Sequence, residues 1–230
     1  MDKPDHRLEM VVIKKENKIL IITGGRTEEE FLSKLLETEK FTLIIVADSG
    51  LVLADRLKIM PDYIVGDFDS VPEAVLNRYR NQSTPIKTFP KEKDKTDTQI
   101  AIELALKLSP SSVTIVGATG SRMDHTLANI HLLLLLLQKK VEAFIVDQNN
   151  KLYLKQESFF LEKSAQYGDY VSFLPFGEAI KGLTLKGFYY PLDNVILSAG
   201  SSLGISNEIV EDIARVEFQE GIVLVMETRD

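Results

Sequence analysis

The sequence contains no cysteine and no tryptophan, and acidic side chains outnumber basic ones. Without cysteine the chain has no disulfide, no thiolate nucleophile and no zinc site built on sulfur. The net charge of −7 argues against a nucleic-acid partner, because binding along a phosphate backbone needs clustered Lys and Arg. A negative chain can still bind nucleotides where cations and backbone N–H groups are locally available.

A long hydrophobic run is also missing. The longest candidate, LANIHLLLLLL at 127–137, is interrupted by Asn129 and His131, and it is shorter than the roughly 20 residues of a membrane span. Because it is apolar around the whole helix, it predicts a buried core helix. The start, MDKPDHRLEM, is charged and lacks the apolar core of a signal peptide. We therefore expect a cytoplasmic protein with no membrane partner.

The first two thirds of the chain alternate between apolar strands and helices. The predicted strands include KILIITGG, FTLIIVADSG, DYIVGDFDS, SSVTIVGATG and VEAFIVD. Capping boxes predict two of the helix starts, Thr27 with Glu30 and Thr96 with Gln99. Val- and Ile-rich strands that alternate with helices predict an α/β fold with a parallel sheet and helices on both faces.

The pattern changes after about Asp147. Short apolar runs follow, separated by Gly, Pro, Asn and charged turns: KLYLK, ESFFLEK, DYVSFLPF, GLTLKGF, ARVEFQE and IVLVMET. They predict a C-terminal antiparallel β-sandwich. The polar stretch DQNNK predicts a domain boundary, with residues 1–148 in the first domain and 149–230 in the second.

Acidic residues gather where the predicted strands end, which is where ligands bind in an open α/β sheet. In GDFDS, Asp67 and Asp69 stand two residues apart. Along an extended chain they point to one face, where two carboxylates repel each other unless a cation or proton intervenes. A hard divalent cation accounts for the pair. A turn in which both carboxylates accept backbone N–H groups is the alternative.

A second polar cluster, KDKTDTQ, precedes a predicted helix. Asp94 falls just before the helix and Asp97 in its first turn. Asp97 is favourable at the positive end of any helix, but a second acidic cluster at a strand-to-helix junction favours a shared metal site. Lys93 and Lys95 lie among these acids, and either is a solvated loop charge or a point charge for a phosphate.

The third cluster, GATGSRMDHTLANI, joins a buried strand to a helix. Gly117 and Gly120 bracket a turn that directs backbone N–H groups toward an anion. Arg122 is placed to clamp phosphate oxygens. His125 and Asn129 lie one turn apart on a leucine-rich helix, either facing a ligand or bonding nearby backbone. Neither G-x-x-x-x-G-K-[ST] nor a G-x-G-x-x-G after the first strand occurs.

The blocks ADSG, GDFDS, DKTDTQ, GATGSRMDHTLAN and SNE, in this order, resemble those of the thiamine pyrophosphokinase family. Ser49 and Ser121 stand where the family often has glycine. The resemblance implies a nucleotide-binding α/β domain, a β-sandwich domain and a homodimer. It also implies Mg²⁺-dependent transfer of pyrophosphate from ATP to thiamine with release of AMP. Without Trp, any aromatic packing on thiamine must come from Tyr or Phe.

The resemblance also implies roles for individual residues. The magnesium ligands are expected to be Asp67, Asp69, Asp97 and, more weakly, Asp94. The ATP site is expected to comprise Asp48, Lys95, Thr98, Gln99, Arg122, Asp124, His125 and Asn129. The residues expected to act in catalysis are Asp67, Asp69, Asp97 and Arg122. Thiamine is expected to contact Ser206 and Asn207, in a site shared with the partner subunit.

Two other functions fit parts of this pattern. IVGDFDSV resembles the motif of phosphatases of the haloacid dehalogenase type, with Asp67 as nucleophile and Asp69 as acid/base. That motif normally opens the first strand of its core, whereas two strand–helix units precede it here. A non-enzymatic nucleotide-sensing module is the other alternative, since binding does not require turnover. The reaction product discriminates among the three.

Overall fold

The computed structural model of the chain describes residues 16–81, 84–88 and 94–230. Strands and helices alternate through its first part: β1 (Lys18–Ile22), α1 (Glu29–Thr38), β2 (Leu43–Ala47), α2 (Gly50–Arg56), β3 (Tyr63–Gly66), α3 (Glu73–Arg80), β4 (Ile86–Thr88), α4 (Asp97–Lys107), β5 (Ser112–Val116), α5 (Met123–Gln138) and β6 (Glu142–Val146). Strands then follow one another: β7 (Asn150–Lys155), β8 (Phe159–Glu162), β9 (Tyr170–Pro175), β10 (Ile180–Lys186), β11 (Leu192–Leu197), β12 (Ile213–Glu217) and β13 (Val223–Thr228). A 3₁₀ turn at Lys163–Ala165 links β8 to β9.

One large sheet has the strand order β4-β3-β2-β1-β5-β6-β7-β13-β9. The pairs among β1 to β6 are parallel, whereas β7, β13 and β9 pair antiparallel. The chain places β2 on one side of β1 and β5 on the other. The strand order therefore reverses beside β1, and such a switch point opens a crevice at the carboxyl ends of the strands.

Alternating side chains of the parallel strands build two cores, one on each face of the sheet. Ile19 and Ile21 of β1 pack with α4 and α5, while Leu20 and Ile22 pack with α1, α2 and α3. All four side chains are fully buried. This arrangement confirms the predicted parallel sheet with helices on both faces.

A second sheet, in the order β11-β10-β12-β8, packs against the antiparallel part of the large sheet. Its inward side chains include Leu183 and Val216, which meet Phe173 and Val225 of the large sheet. The predicted antiparallel sandwich is confirmed, although β11 was absent from the predicted strands. The large sheet continues through the predicted boundary, because β6 pairs with β7. The division at residues 148 and 149 stays a prediction.

The capping box predicted for α1 is wrong. This helix begins at Glu29, and its N-cap residue, Glu28, makes no side-chain capping bond. Thr27 instead lies against the loop after β5, where a Cβ atom built on Gly117 would be 3.2 Å from its hydroxyl oxygen. For α4 one of the two bonds of the predicted capping box is present: the Thr96 hydroxyl accepts a hydrogen bond from the N–H of Gln99 at 3.2 Å.

The leucine-rich helix α5 is exposed near its start and buried along its leucine run. Ile130, Leu133 and Leu136 pack against the sheet, whereas Met123 and Leu127 are exposed. The predicted core helix is confirmed for the leucine run, because Leu132, Leu134, Leu135 and Leu137 are partly buried and pack against the same core, while the exposed Met123 and Leu127 lie near the start of the helix. Within the described ranges, no helix combines the length and the apolar character needed to cross a membrane.

Candidate active site

Three carboxylates converge where β2 and β3 end. One oxygen from each of Asp48, Asp67 and Asp69 lies within 4.8 Å of the other two. Asp48 follows β2 directly and Asp67 follows β3, and these two strands are neighbours in the sheet. The predicted pair of aspartates is therefore extended by Asp48, which we had expected among the nucleotide ligands.

An unusual backbone brings these side chains together. Asp48 has a left-handed φ of 46° and Phe68 one of 63°. The Phe68 ring is buried in the core under the loop, with Asp67 and Asp69 on either side of it in the chain. Gly66 is needed for close approach, because a Cβ atom there would lie 3.1 Å from the Cα atom of Asp48. The carboxylates thus meet through a turn beyond β3, and not along an extended strand.

The buried carboxylate oxygen of Asp48 fits a cation better than a self-contained turn. The N–H of Asp69 donates to Asp67 Oδ1 at 3.2 Å, as the turn alternative expects. The Ser70 hydroxyl donates to Asp48 Oδ2 at 2.9 Å, but the buried Asp48 Oδ1 has no hydrogen-bond partner. A buried acceptor without a donor is costly, and three carboxylates repel each other. A hard divalent cation relieves both conditions.

The start of α4 carries the second predicted cluster. Asp94 and Asp97 lie outside the carboxylate group of Asp48, Asp67 and Asp69, so a part for them in metal binding stays a prediction. Lys95 Nζ lies 2.9 Å from Glu103 Oε2, and the Gln99 amide donates to Glu103 Oε1 at 3.1 Å. The hydrogen bond from Lys95 is the main cause that lowers the pKa of Glu103.

Glu103 was not predicted, although its position four residues after Gln99 on the helix was a usable signal. Thr98 is buried on α4, and Lys93 lies outside the described residues. A cavity of about 280 Å³ opens beside this helix. Its lining comprises Val65, Lys87, Asp94, Lys95, Ile100, Glu103, Leu104 and Lys107.

The loop after β5 packs backbone to backbone against the loop after β1. Gly25 donates to the Gly117 carbonyl at 2.7 Å, and Arg26 donates to the Thr119 carbonyl at 2.9 Å. A Cβ atom on Gly25 would lie 2.1 Å from the Gly117 oxygen. Gly25 therefore allows a close approach between the ends of β1 and β5, and its N–H helps to hold the loop that leads to Arg122.

Arg122 is the N-cap residue of α5, and its side chain forks onto the carboxylate of Asp124. The two bonds measure 3.2 Å from Nε to Oδ1 and 2.6 Å from Nη2 to Oδ2. This pairing raises the pKa of Arg122 and lowers the pKa of Asp124. Both side chains are exposed. The guanidinium therefore already holds an oxyanion in the two-pronged geometry that also suits phosphate.

His125 and Asn129 have different environments on α5. His125 is exposed, whereas Asn129 is 8% exposed. The Asn129 amide donates to the Ala118 carbonyl at 2.8 Å, as the backbone-bonding alternative expects. This bond fixes the loop from inside, and direct contact of either side chain with a ligand stays a prediction.

The predicted thiamine residues lie on a turn in the β-sandwich. Asn207 is only 2% exposed, and its side chain bonds the backbone of Tyr190 and Glu208. Ser206 has a left-handed φ of 53°, and its N–H donates to the Ser172 hydroxyl at 3.0 Å. Direct contacts of Ser206 and Asn207 with thiamine stay a prediction.

Beside Asn207 the structure exposes two aromatic rings that the sequence reasoning did not single out. Tyr189 and Tyr190 are 63% and 56% exposed, and their ring centroids lie 4.9 Å apart in an edge-on arrangement. The two rings form an exposed aromatic surface next to the turn of Ser206 and Asn207. The adjacent pair in GFYYPL, shortly before SNE in the chain, was the available signal.

Four of the polar loops of the α/β part follow the carboxyl ends of neighbouring strands, along one edge of the sheet. The strand order places Asp67 and Asp69 at β3, Asp48 at β2, TGG at β1 and the Gly117 loop at β5. Two strand spacings, roughly 10 Å, separate β2 from β5. A carboxylate cluster and an oxyanion-binding arginine therefore flank the switch point.

Comparison with known proteins agrees with this geometry. Residues 34–145 match the family model "Thiamin pyrophosphokinase, catalytic domain", and residues 158–223 match "Thiamin pyrophosphokinase, vitamin B1 binding domain". A thiamine pyrophosphokinase of Bacillus subtilis is 34% identical over 193 residues, which cover 84% of this chain and 90% of that protein. The chain belongs to the thiamin pyrophosphokinase family. The matches confirm the family, the enzyme class and the function predicted from the sequence.

Solved structures place the fold in the same family. The thiamine pyrophosphokinase crystal structure from Bacillus subtilis superimposes with a TM-score of 0.83 at 32% identity, covering 93% of this chain and 100% of that one. The thiamin pyrophosphokinase from Geobacillus thermodenitrificans gives 0.80 at 33% identity, with 93% and 98% covered. Yeast thiamin pyrophosphokinase, at 18% identity and a TM-score of 0.79, is similar in fold.

Proposed function

We propose that the chain transfers the pyrophosphoryl group of ATP to the hydroxyl group of thiamine, with Mg²⁺ as cofactor and AMP as the second product. Family membership supports thiamine diphosphate formation. The observation that supports the nucleotide and the metal is the convergence of Asp48, Asp67 and Asp69 at the sheet edge that also carries Arg122. Such an edge suits a polyphosphate held between a cation and an arginine.

The metal ligands come from this group of carboxylates. Asp67 and Asp69 hold the ion together with Asp48, whose buried oxygen lacks any other partner. Asp97 and Asp94, at the start of α4, are further ligands or bond the water molecules around the ion. Mg²⁺, when bound, neutralises charge on phosphate oxygens and orients them.

The side chains and loops around the ion position the reactants. Arg122 exchanges its Asp124 partner for phosphate oxygens, which offer the same two-pronged geometry. Backbone N–H groups of the Gly117 loop and Lys95 add positive potential, and His125 and Asn129 complete the nucleotide site with Thr98 and Gln99. The thiamine hydroxyl oxygen bonds to the β-phosphorus in line while the bond from that phosphorus to the bridging α-phosphate oxygen breaks, so that AMP leaves and the hydroxyl proton passes to solvent. Positioning and charge neutralisation supply most of the rate, without a covalent enzyme intermediate.

Thiamine binds at the turn of Ser206 and Asn207. The exposed ring of Tyr190 offers an aromatic surface for a cationic or heteroaromatic ring. Leu203 and Ile205, on the same turn, are exposed in the single chain. These apolar side chains favour a homodimer in which the partner subunit helps to cover the thiamine site.

Two further statements remain proposals. The nucleotide unit ends near residue 148 and the thiamine unit begins there, in keeping with separate matches to a catalytic and a vitamin B1 binding model. The chain acts in the cytoplasm, as the sequence predicts. Limited proteolysis tests the first statement and cell fractionation tests the second.

Product analysis tests the proposed function. Purified protein is incubated with ATP, Mg²⁺ and thiamine, with EDTA-treated protein as a control, and the nucleotides and thiamine esters are separated. AMP and thiamine diphosphate in equal amounts are the expected products, and EDTA abolishes both. Free phosphate would indicate a phosphatase instead, and nucleotide binding without any product would indicate a sensing module.

A further inference from the structure

A buried aspartate outside the predicted site carries an unusually complete set of hydrogen bonds. Asp147 follows β6 directly and is 7% exposed. Its Oδ1 accepts from the N–H of Asn149 at 2.9 Å, from the N–H of Asn150 at 2.8 Å and from the Asn150 amide at 2.9 Å. These bonds build the tight turn into β7, and they use only one of the two carboxylate oxygens.

The second oxygen reaches across to the neighbouring strand end. Asp147 Oδ2 accepts the Thr119 hydroxyl at 2.8 Å, and Thr119 belongs to the loop between β5 and α5. A turn alone does not need this bond. A carboxylate bond to a hydroxyl is short and directional, so it fixes the place of the Thr119 side chain.

Thr119 is well placed to control the position of Arg122. The carbonyl of Thr119 accepts from Arg26, and its hydroxyl donates to Asp147, so both sides of this residue are held. Only Gly120 and Ser121 separate it from Arg122, the N-cap residue of α5. A displacement of Thr119 would therefore also displace Arg122, because only two small residues lie between them.

We propose that Asp147 and Thr119 form a positioning pair for the nucleotide site: their hydrogen bond sets the loop that carries Arg122 and directs its N–H groups at the phosphates. This inference rests on the proposed function, because it assigns the loop to ATP. The proposal gives neither side chain a contact with the reactants. Their effect is on how well the arginine and the loop amides are preorganised before ATP binds.

The same aspartate has a bond that supplies a matched control. The Tyr167 hydroxyl donates to the backbone carbonyl of Asp147, from the side of the β-sandwich. Tyr167→Phe removes that bond and weakens the same turn, but it leaves the bond between Asp147 and Thr119 in place. A purely structural role for Asp147 predicts that loss of either bond has the same consequences.

Steady-state kinetics on three variants test the proposal. Thr119→Val removes the hydroxyl, and we expect kcat/KM for ATP to fall about tenfold or more, since small misplacements at a reacting site carry large kinetic effects. The KM for thiamine stays near the wild-type value. Thr119→Ser restores the hydroxyl and most of kcat/KM for ATP. Tyr167→Phe lowers the midpoint of thermal unfolding but leaves kcat/KM for ATP unchanged.

The outcomes separate this inference from the function on which it rests. Wild-type kinetics in Thr119→Val, or equal kinetic losses in Thr119→Val and Tyr167→Phe, would overturn the positioning role and leave the proposed function standing. A wild-type protein that makes no thiamine diphosphate from ATP would overturn both. If Thr119→Val does not fold, Thr119→Ala serves for the same comparison with Thr119→Ser.

Discussion

The side chain of Asn207 bonds both polar backbone groups of Tyr190: it accepts from the N–H at 2.9 Å and donates to the C=O at 2.7 Å. The amide thus satisfies the backbone of Tyr190 as the backbone of a paired strand would. The aromatic ring of Tyr190 stays exposed to solvent. Asn207 is therefore suited to act on thiamine through the position of Tyr190 as well as by direct contact.

Asn207→Ala is expected to weaken thiamine binding more than ATP binding. The variant leaves the two backbone groups of Tyr190 without their partner, which costs about 1–3 kcal/mol of stability, and the ring loses its fixed place. The measurement is the dissociation constant of each substrate by titration calorimetry. Tyr190→Phe, which keeps the ring, serves as the control and stays near wild type. Equal losses for both substrates would remove the thiamine assignment of this turn.

Asp69→Asn is expected to lower turnover by orders of magnitude and to leave the fold intact. Asp69 is exposed at a strand end, so its stability contribution should stay within about 0.5 kcal/mol. The turnover number and the thermal midpoint are compared with those of Asp193→Asn, an exposed aspartate on β11 that lies in the other sheet. Near-normal turnover in Asp69→Asn would contradict the metal-site proposal.

Asp48→Asn is expected to abolish the stabilisation of the protein by magnesium. Without metal the variant should be at least as stable as wild type, because the substitution removes the charge of a carboxylate whose buried oxygen has no hydrogen-bond partner. Asparagine tolerates the left-handed φ of 46° at this position. A metal at 100 times its dissociation constant stabilises a folded protein by about 2.7 kcal/mol, and this gain should appear in wild type only. Thermal unfolding with and without Mg²⁺ provides the measurement, and identical shifts in both proteins would count against the cluster.

Glu103→Gln is expected to change the acid limb of the stability curve. The folded-state pKa of Glu103 lies below its ordinary value of 4.5, chiefly because Lys95 donates to it. A lowered pKa means that the contribution is present above the ordinary value and is lost as the pH falls through the folded-state value. After allowance for solvent screening, the effect is at most about 1 kcal/mol. The free energy of unfolding in urea, measured at several pH values around and below 4.5, should fall less with decreasing pH in the variant than in wild type. An equal fall in both proteins would argue against the ion pair.

The sequence predicted the ends of strands and the starts of helices where neighbouring residues alone determine them. The apolar runs of β1, β2, β3, β5 and β6 predicted the parallel sheet, and Thr96 predicted the start of α4. The capping box predicted at Thr27 does not form, because Thr27 packs against Gly117 instead. Local patterns predict an element, but they do not show which neighbour competes for a side chain.

The candidate site shows the same division. Asp67, Asp69 and Arg122 are recognisable in the sequence. A strand end with only a structural role needs turn residues, but it does not need paired acids or an arginine after a glycine loop. Glu103 and Asp147 do not stand out, because their importance lies in which side chains reach them: Lys95 and Gln99 for one, Thr119 for the other.

The order of the amino acids by itself determined the alternation of strands and helices, the change to a β-sandwich and the motifs that mark the family. Only the tertiary structure decided that Asp48 joins the aspartates of β3, that Asn207 holds Tyr190 and that Asp147 reaches Thr119. The physical reason is distance along the chain. Short-range periodicity follows from the geometry of each element, whereas contacts between residues far apart in sequence depend on the order of strands in the sheet.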